Sequence, residues 1–209
     1  MQPSYPDMTT YQIAELAELP SRYRGMLLNC FTAPKPAFLV GTRGQDGKDN
    51  LAIFSQVFHI GANPFLVGIL VRPDVVERHT LRNIEATNVY TLSAVTADMV
   101  PQAHQTSAKY PNGKSEFEAV GLAEYRYPDF AAPAVENSPL QMGLELAERI
   151  DIKVNGTILI IGAVQWVRFG GEVTEDGFWD AAAQGLVANG GMDSYYPLLA
   201  PTRLSYAKP

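Results

Sequence analysis

The sequence predicts a mainly β chain of the α+β class, with a few helices packed at the ends of its strands. Three observations lead there. β-forming runs flank an Asp46-Gly47 turn and again flank Asn155-Gly156, and such dipeptides between apolar runs are strong short-range hairpin signals. Residues 65–71 carry no polar side chain, as expected of a strand buried on both faces. Successive strands are joined by short turns, which disfavours the runner-up, a doubly wound α/β sheet whose strands alternate with helices.

In chain order, residues 7–19 read as a short helix, with Thr9 and Gln12 as a capping box and Ile13, Leu16 and Leu19 on one stripe. Residues 23–31 fit a strand or a helical turn equally, and Pro34 and Pro36 break what precedes them. An apolar run at 37–41, turn residues at 44–49 and one long strand over 50–60 make the first hairpin. Gly61-Ala62-Asn63-Pro64 separates it from strand 65–71. The period then changes. Asp74 and Glu77 have capping-box spacing, and Val76, Thr80, Asn83 and Ile84 fall near one side of a helix over 74–87.

Strand 89–95 follows. The stretch 97–148 is poorer in strands: a donor-rich loop at 104–111, a turn or short helix at 115–118 and a Tyr/Pro-rich loop at 125–139. Regular structure that fits a strand returns at 140–150. The second hairpin joins 150–154 to 157–169, and Gly162 inside its long arm marks a bulge or a barrel corner. From 185 the chain is loop-rich. No repeat, low-complexity segment or linker interrupts it, so residues 1–209 are expected to form one domain.

The 209 residues are 46% hydrophobic and 18% charged, enough for a sizeable core and too apolar for disorder. A net charge of −6 offers no basic field, so neither nucleic acid nor an anionic membrane is an expected partner. The single cysteine, Cys30, excludes an intrachain disulfide framework, fits a reducing compartment and reads as a small buried hydrophobe. Residues 1–10 have neither a basic region nor an apolar run, so no secretory leader is expected. The apolar stretches at 65–71 and 158–164 fall far short of a ~20-residue membrane span. The expected location is cytoplasmic.

Motifs for nucleotide-binding glycine loops, zinc proteases and nucleophile elbows are absent, and His59, His79 and His104 are not at metal-ligand spacing. Two segments stand out instead. In 71–83, a buried strand feeds a capped helix and carries Arg72, Arg78 and Arg82. A helix start offers free N–H groups and a positive dipole end to an anion, with Arg72 able to add a bidentate contact and Thr80 and Asn83 further hydrogen bonds. The competing reading is an exposed helix with solvated arginines. In 104–112, many donors and little apolar content suit either mobile surface or a clamp on a polar ligand. Asn50 together with Phe54 and Ser55 forms a third candidate, because the polar Asn50 and Ser55 interrupt an apolar strand and need partners, either backbone or ligand. Tyr195, Tyr196 and Tyr206 read as packing or dimer surface rather than as a stacking platform.

Taken in order, Asn50-Leu-Ala-Ile-Phe-Ser55, Asn63-Pro64, Leu70-Val-Arg-Pro73, Glu77-Arg-His-Thr80 with Asn83-Ile84, and His104-Gln-Thr-Ser-Ala-Lys-Tyr-Pro111 resemble the flavin reductase-like, flavoredoxin-like proteins. So do Asn155-Gly-Thr-Ile-Leu159, Asp193-Ser-Tyr195 and Arg203-Leu-Ser-Tyr-Ala-Lys-Pro209, and the resemblance runs from about residue 30 to the end. It implies an FMN-binding split barrel: a six-stranded antiparallel Greek-key barrel with flanking helices, usually a homodimer with FMN near the interface. It places Asn50, Phe54 and Ser55 along the flavin ring and ribityl chain. Arg72, Thr80 and Asn83 then surround the phosphate, and Ser107 and Lys109 close over it. NAD(P)H is the implied hydride donor, with free flavin, another protein, oxygen or a small substrate as acceptor, and no side-chain acid or base is required; the alternatives are a non-catalytic FMN-binding electron carrier and a β-barrel module for another phosphorylated ligand. One departure stands out: in the resembling family Asp-Ser-Tyr tends to be followed by His, and here Tyr196 follows it. Residues 1–30 lie outside the resemblance, as a partly helical extension.

Overall fold

The computed structural model describes residues 8–74, 78–110 and 114–208. Two helices come first, α1 (Ile13–Glu18) and α2 (Ser21–Phe31). At α1 the Gln12 N–H donates to Glu15 Oε2 at 2.5 Å, so the capping box falls one turn later than the Thr9–Gln12 spacing predicted and the helix is shorter. In the segment that fitted strand or helix equally, α2 is selected by a tertiary contact. The turn at Gly191 sits so close to it that a Cβ there would lie 2.7 Å from Met26 Sδ and 3.0 Å from Cys30 Sγ. Cys30 itself is exposed near the end of α2, which corrects its reading as a buried hydrophobe.

The strands and remaining helices follow: β1 (Lys35–Pro36), β2 (Phe38–Arg43), β3 (Asp49–Phe54), β4 (Val57–Ala62), β5 (Phe65–Val71), α3 (His79–Thr87) and β6 (Val89–Ala94). After a 3-10 turn at Ala97–Met99 come α4 (Val100–Gln105), α5 (Glu116–Val120), β7 (Glu124–Tyr125), β8 (Ala134–Val135), β9 (Leu140–Ile152), β10 (Thr157–Phe169), β11 (Val187–Gly190) and β12 (Ser194–Pro197). The main sheet is antiparallel throughout, in the order β3-β2-β6-β9-β10-β5-β4.

Its two edge strands are consecutive in the chain. Ser55 and Gln56 join β3 to β4, and the Gln56 carbonyl accepts from the Leu70 N–H at 3.0 Å. The single strand expected over 50–60 is therefore two, because β3 pairs with β2 while β4 pairs with β5 on the far side of the sheet. The sheet curls until its first and last strands meet end to end, and no ladder closes them among the described residues. With β3 and β4 counted as one interrupted strand, this is the six-stranded split barrel.

Both glycine turns form, with longer loops than two residues. The first closes through Gly44 N–H to the Lys48 carbonyl at 2.8 Å, and the second through Gly156 N–H to the Ile152 carbonyl at 2.8 Å, with Gly47 and Gly156 at φ of 79° and 74°. The predicted irregularity at Gly162 is a register shift between Ile161 and Gly162, and a Cβ there would come within 2.2 Å of the Tyr90 hydroxyl oxygen.

Two apolar clusters explain why β2 shows no alternation. Val40 enters the barrel interior with Ile69, Tyr90, Leu92, Leu144 and Ile160, while Leu39 enters a second cluster with Leu51, Met99, Ala103 and Phe117. Helices α4 and α5 are held in that second cluster, so the stretch expected as a donor-rich loop at 104–111 begins inside a helix, with Thr106 buried behind it. Residues 111–113 lie outside the described residues. Helix α3 starts at His79 rather than Asp74, and Asp74 pairs with Arg82 at 3.4 Å. The Glu77 half of the expected capping box lies outside the described residues. The tail from 185 is more ordered than expected, since β11 pairs with β1 on one side and with β12 on the other. No described helix is long and apolar enough to cross a membrane.

Candidate active-site cleft

The exposed long side of β3 faces a cleft of about 800 Å³. An edge strand leaves alternate N–H groups without ladder partners, and here two side chains supply them. Leu51 N–H donates to Glu116 Oε2 at 3.1 Å, and Ile53 N–H donates to Thr106 Oγ1 at 3.0 Å. Thr106 in turn donates to the Ala103 carbonyl at 2.7 Å, which ties the strand to the end of α4. Glu116 and Thr106 thus satisfy the outward N–H groups of β3 and line the cleft together with Asn50, Phe54 and Ser55.

The cleft floor is a buried polar network. Asn50 Nδ2 donates to Thr42 Oγ1 at 3.3 Å and to Thr80 Oγ1 at 3.1 Å, while Asn83 Nδ2 donates to Thr42 Oγ1 at 3.1 Å. Both amide hydrogens of Asn50 are therefore engaged, and its Oδ1 is left as an acceptor. The Thr80 oxygen accepts from Asn50, and among the described residues its hydroxyl proton has no acceptor, so it can donate to an anion.

Arg72, Arg78 and Lys109 line the same cleft as the first residues of α3, His79 and Thr80. The N–H groups of that first turn have no intrahelical acceptor and carry the positive end of the helix dipole. Arg78 is steadied by its Nε–H bond to the Pro73 carbonyl at 3.2 Å. Neither Arg72 nor Lys109 has an ion-pair partner among the described residues. Such a set could hold a phosphate.

Of the residues nominated from sequence, Asn50, Phe54, Ser55, Arg72, Thr80, Ser107 and Lys109 all line this one cleft. Asn83 does not. It lies behind the floor and acts through Thr42. Ser107 is present, but its hydroxyl donates to the His104 carbonyl at 2.7 Å and so presents a lone pair rather than a proton. Sequence reasoning did not nominate Arg78, Thr106, Glu116, or the outer wall formed by Gly25, Asn29 and Met192. Arg78 was legible as one of three arginines on the strand–helix segment; the others make contacts across the chain that no local pattern announces.

Tyr196, which follows Asp193-Ser194-Tyr195, is not among the residues lining the cleft; its ring covers Gly190. Tyr195 anchors the β11–β12 hairpin instead, with its hydroxyl 3.1 Å from His104 Nδ1. Burial, with Asp193 nearby, raises the Tyr195 phenol and keeps it protonated at neutral pH.

Residues 30–192 match the family described as the flavin reductase like domain. The fold superposes with a TM-score of 0.91 on a protein assigned as a flavin reductase with split barrel domain from Shewanella frigidimarina NCIMB 400, at 39% identity over 96% of this chain and 100% of that one. Nitrilotriacetate monooxygenase component B from Bacillus cereus shares the fold at 22% identity and a TM-score of 0.82, over 95% of this chain and 99% of its own. Flavoredoxin of Desulfovibrio vulgaris (Miyazaki F) does so at 21% and 0.73, over 84% and 93%. The chain belongs to the flavin reductase-like family.

Proposed function

From that membership, we propose that the protein is an FMN-dependent oxidoreductase of the flavin reductase type, taking hydride from NAD(P)H and passing electrons to free flavin or another small acceptor. The observation that carries the reading is that Arg72, Arg78, Lys109 and Thr80 line one cleft together with the start of α3. The donor set fits FMN end to end. The cations and the helix N-terminus suit its phosphate, the Asn50 Oδ1 acceptor and Ser55 suit a polyol, and the apolar walls of Phe54 and Val71 suit a flat ring.

Bound FMN would supply the hydride chemistry itself. The chain's own residues bind and orient. Arg72 and Lys109 neutralise the phosphate, Thr80 donates to it, and Asn50 fixes the Thr80 rotor while offering its own acceptor to the ligand. Glu116 and Thr106 keep the β3 backbone in place beside the ring. No side-chain acid or base is needed for a hydride step, so none is assigned.

The same reading includes a homodimer. Phe58, Ile60 and Phe65, on β4 and the start of β5, are 44%, 41% and 38% exposed, and a second copy is the occupant proposed for this edge.

The test is the visible spectrum of the purified protein before and after FMN, and then after anaerobic NADH or NADPH. Flavin bands that bleach support the reductase reading and identify the donor. Bands that persist with both nicotinamides point to an electron carrier, and no spectral change with FMN overturns the reading.

A further inference from the structure

Helix α2 lies almost wholly ahead of the region matched to the family, yet two of its residues, Gly25 and Asn29, line the cleft together with Met192 from the β11–β12 turn. Gly25 is the unusual one. A glycine inside a helix sacrifices helix stability relative to alanine, and it is normally kept because a neighbour presses on the backbone. Here no described residue does: among the described residues a Cβ at Gly25 would meet only Met192 Sδ, at 3.9 Å, an ordinary contact. The space the missing side chain leaves opens into the cleft.

The rest of this wall is built rather than loose. Asn29 Nδ2 donates to the Gly25 carbonyl at 2.7 Å, and the Asn29 carbonyl accepts from Lys35 Nζ at 2.7 Å. Asn29 Oδ1 has no partner among the described residues, so it remains an acceptor at the cleft. Gly191 adopts φ 63° and seats the turn against Met26 and Cys30, which fixes Met192 relative to Gly25. A bare stretch of helix backbone, a polarisable thioether and a single acceptor suit a flat heteroaromatic ring that carries an amide or imide N–H on its edge.

We infer that Gly25, Asn29 and Met192 form the wall against which the second substrate, a planar heteroaromatic with an N–H donor edge, stacks opposite the flavin, and that Gly25 sets the thickness this site admits. The inference rests on the flavin reading above and assigns its substrate side.

The experiment uses full-length protein and two unreactive flat probes, NAD+ and riboflavin, titrated calorimetrically into the FMN-loaded protein. Gly25→Ala is expected to raise the melting temperature of the FMN-free protein, since the chain itself makes no demand for glycine. Gly25→Leu is expected to weaken both probes by about tenfold or more by filling the slot, with FMN affinity unchanged. Asn29→Leu is expected to weaken NAD+ and riboflavin as well, through loss of the acceptor. A lower melting temperature for Gly25→Ala, unchanged probe affinity in Gly25→Leu, or an equal loss of FMN affinity would each overturn the assignment. Wild type that takes up FMN but neither probe overturns it while leaving the flavin reading intact. Wild type that takes up no FMN overturns both.

Discussion

β3 and β4 are neighbours in sequence, similar in composition and the two edges of one sheet, yet their surroundings differ completely. β3 has Leu51 fully buried, its outward N–H groups taken by Glu116 and Thr106, and a ligand-sized cleft along its side. β4 buries Val57 and then exposes Phe58, His59 and Ile60 in succession. The two-residue break at Ser55 and Gln56 thus divides one apolar run into a strand finished by its own chain and a strand left for something else. An edge kept accessible for chemistry has its hydrogen bonds met by side chains, which hold the backbone without blocking the approach. β4 leaves apolar side chains uncovered, which is what the proposed association with a second copy would use.

The largest effect that could break this contrast is packing. Leu51→Ala should cost about 2–5 kcal/mol in denaturant unfolding, as for other fully buried leucines, whereas Phe58→Ala should cost about 1 kcal/mol in the isolated chain. Equal losses would show that the two edges are buried alike in solution.

On the cleft side, Arg72→Ala should weaken FMN binding by about 1.5–3 kcal/mol, through loss of a charge-assisted bond to phosphate. Fluorescence titration of a folded variant with unchanged affinity would return Arg72 to the solvated-helix reading. Smaller again is the edge itself. Thr106→Val removes the acceptor for the Ile53 N–H and should cost about 1–3 kcal/mol of stability, with amide exchange at Ile53 accelerated. Protection of Ile53 unchanged from wild type would mean that the side chain is not what finishes this edge.

The smallest change in chain stability belongs to β4. Phe58→Lys should alter unfolding of the isolated chain by less than about 1 kcal/mol, yet shift the light-scattering mass from dimer to monomer. A dimer that persists at micromolar concentration would move the association surface elsewhere.

Much of the frame was legible residue by residue. Asp46-Gly47 and Asn155-Gly156 announced their hairpins because positive φ is a local demand that few residues meet. Gly162 announced its irregularity for a related reason, the absence of room for a side chain beside Tyr90. The anion end of the cleft was legible because a strand end, a helix start, Arg72 and Thr80 are close in sequence. The break at Ser55 was not legible, since its residues suit a strand on either side and only the closure of the sheet requires the interruption. Asn83 was placed on the correct helix face but one layer too far forward, because periodicity gives a direction and not a depth.

The sequence by itself determined the β character, the turns, the strand–helix junction with its cations and the family resemblance, all of which depend on residues within a few positions of one another. Only the tertiary structure decided that Glu116 and Thr106 finish β3 from 65 and 53 residues away. It also decided that α2 forms the outer wall of the cleft, and that Cys30 is exposed. The physical reason is range. Backbone dihedral preferences and helix dipoles act over a turn or two, whereas a cleft is made where distant segments satisfy one another's hydrogen bonds and exclude water together.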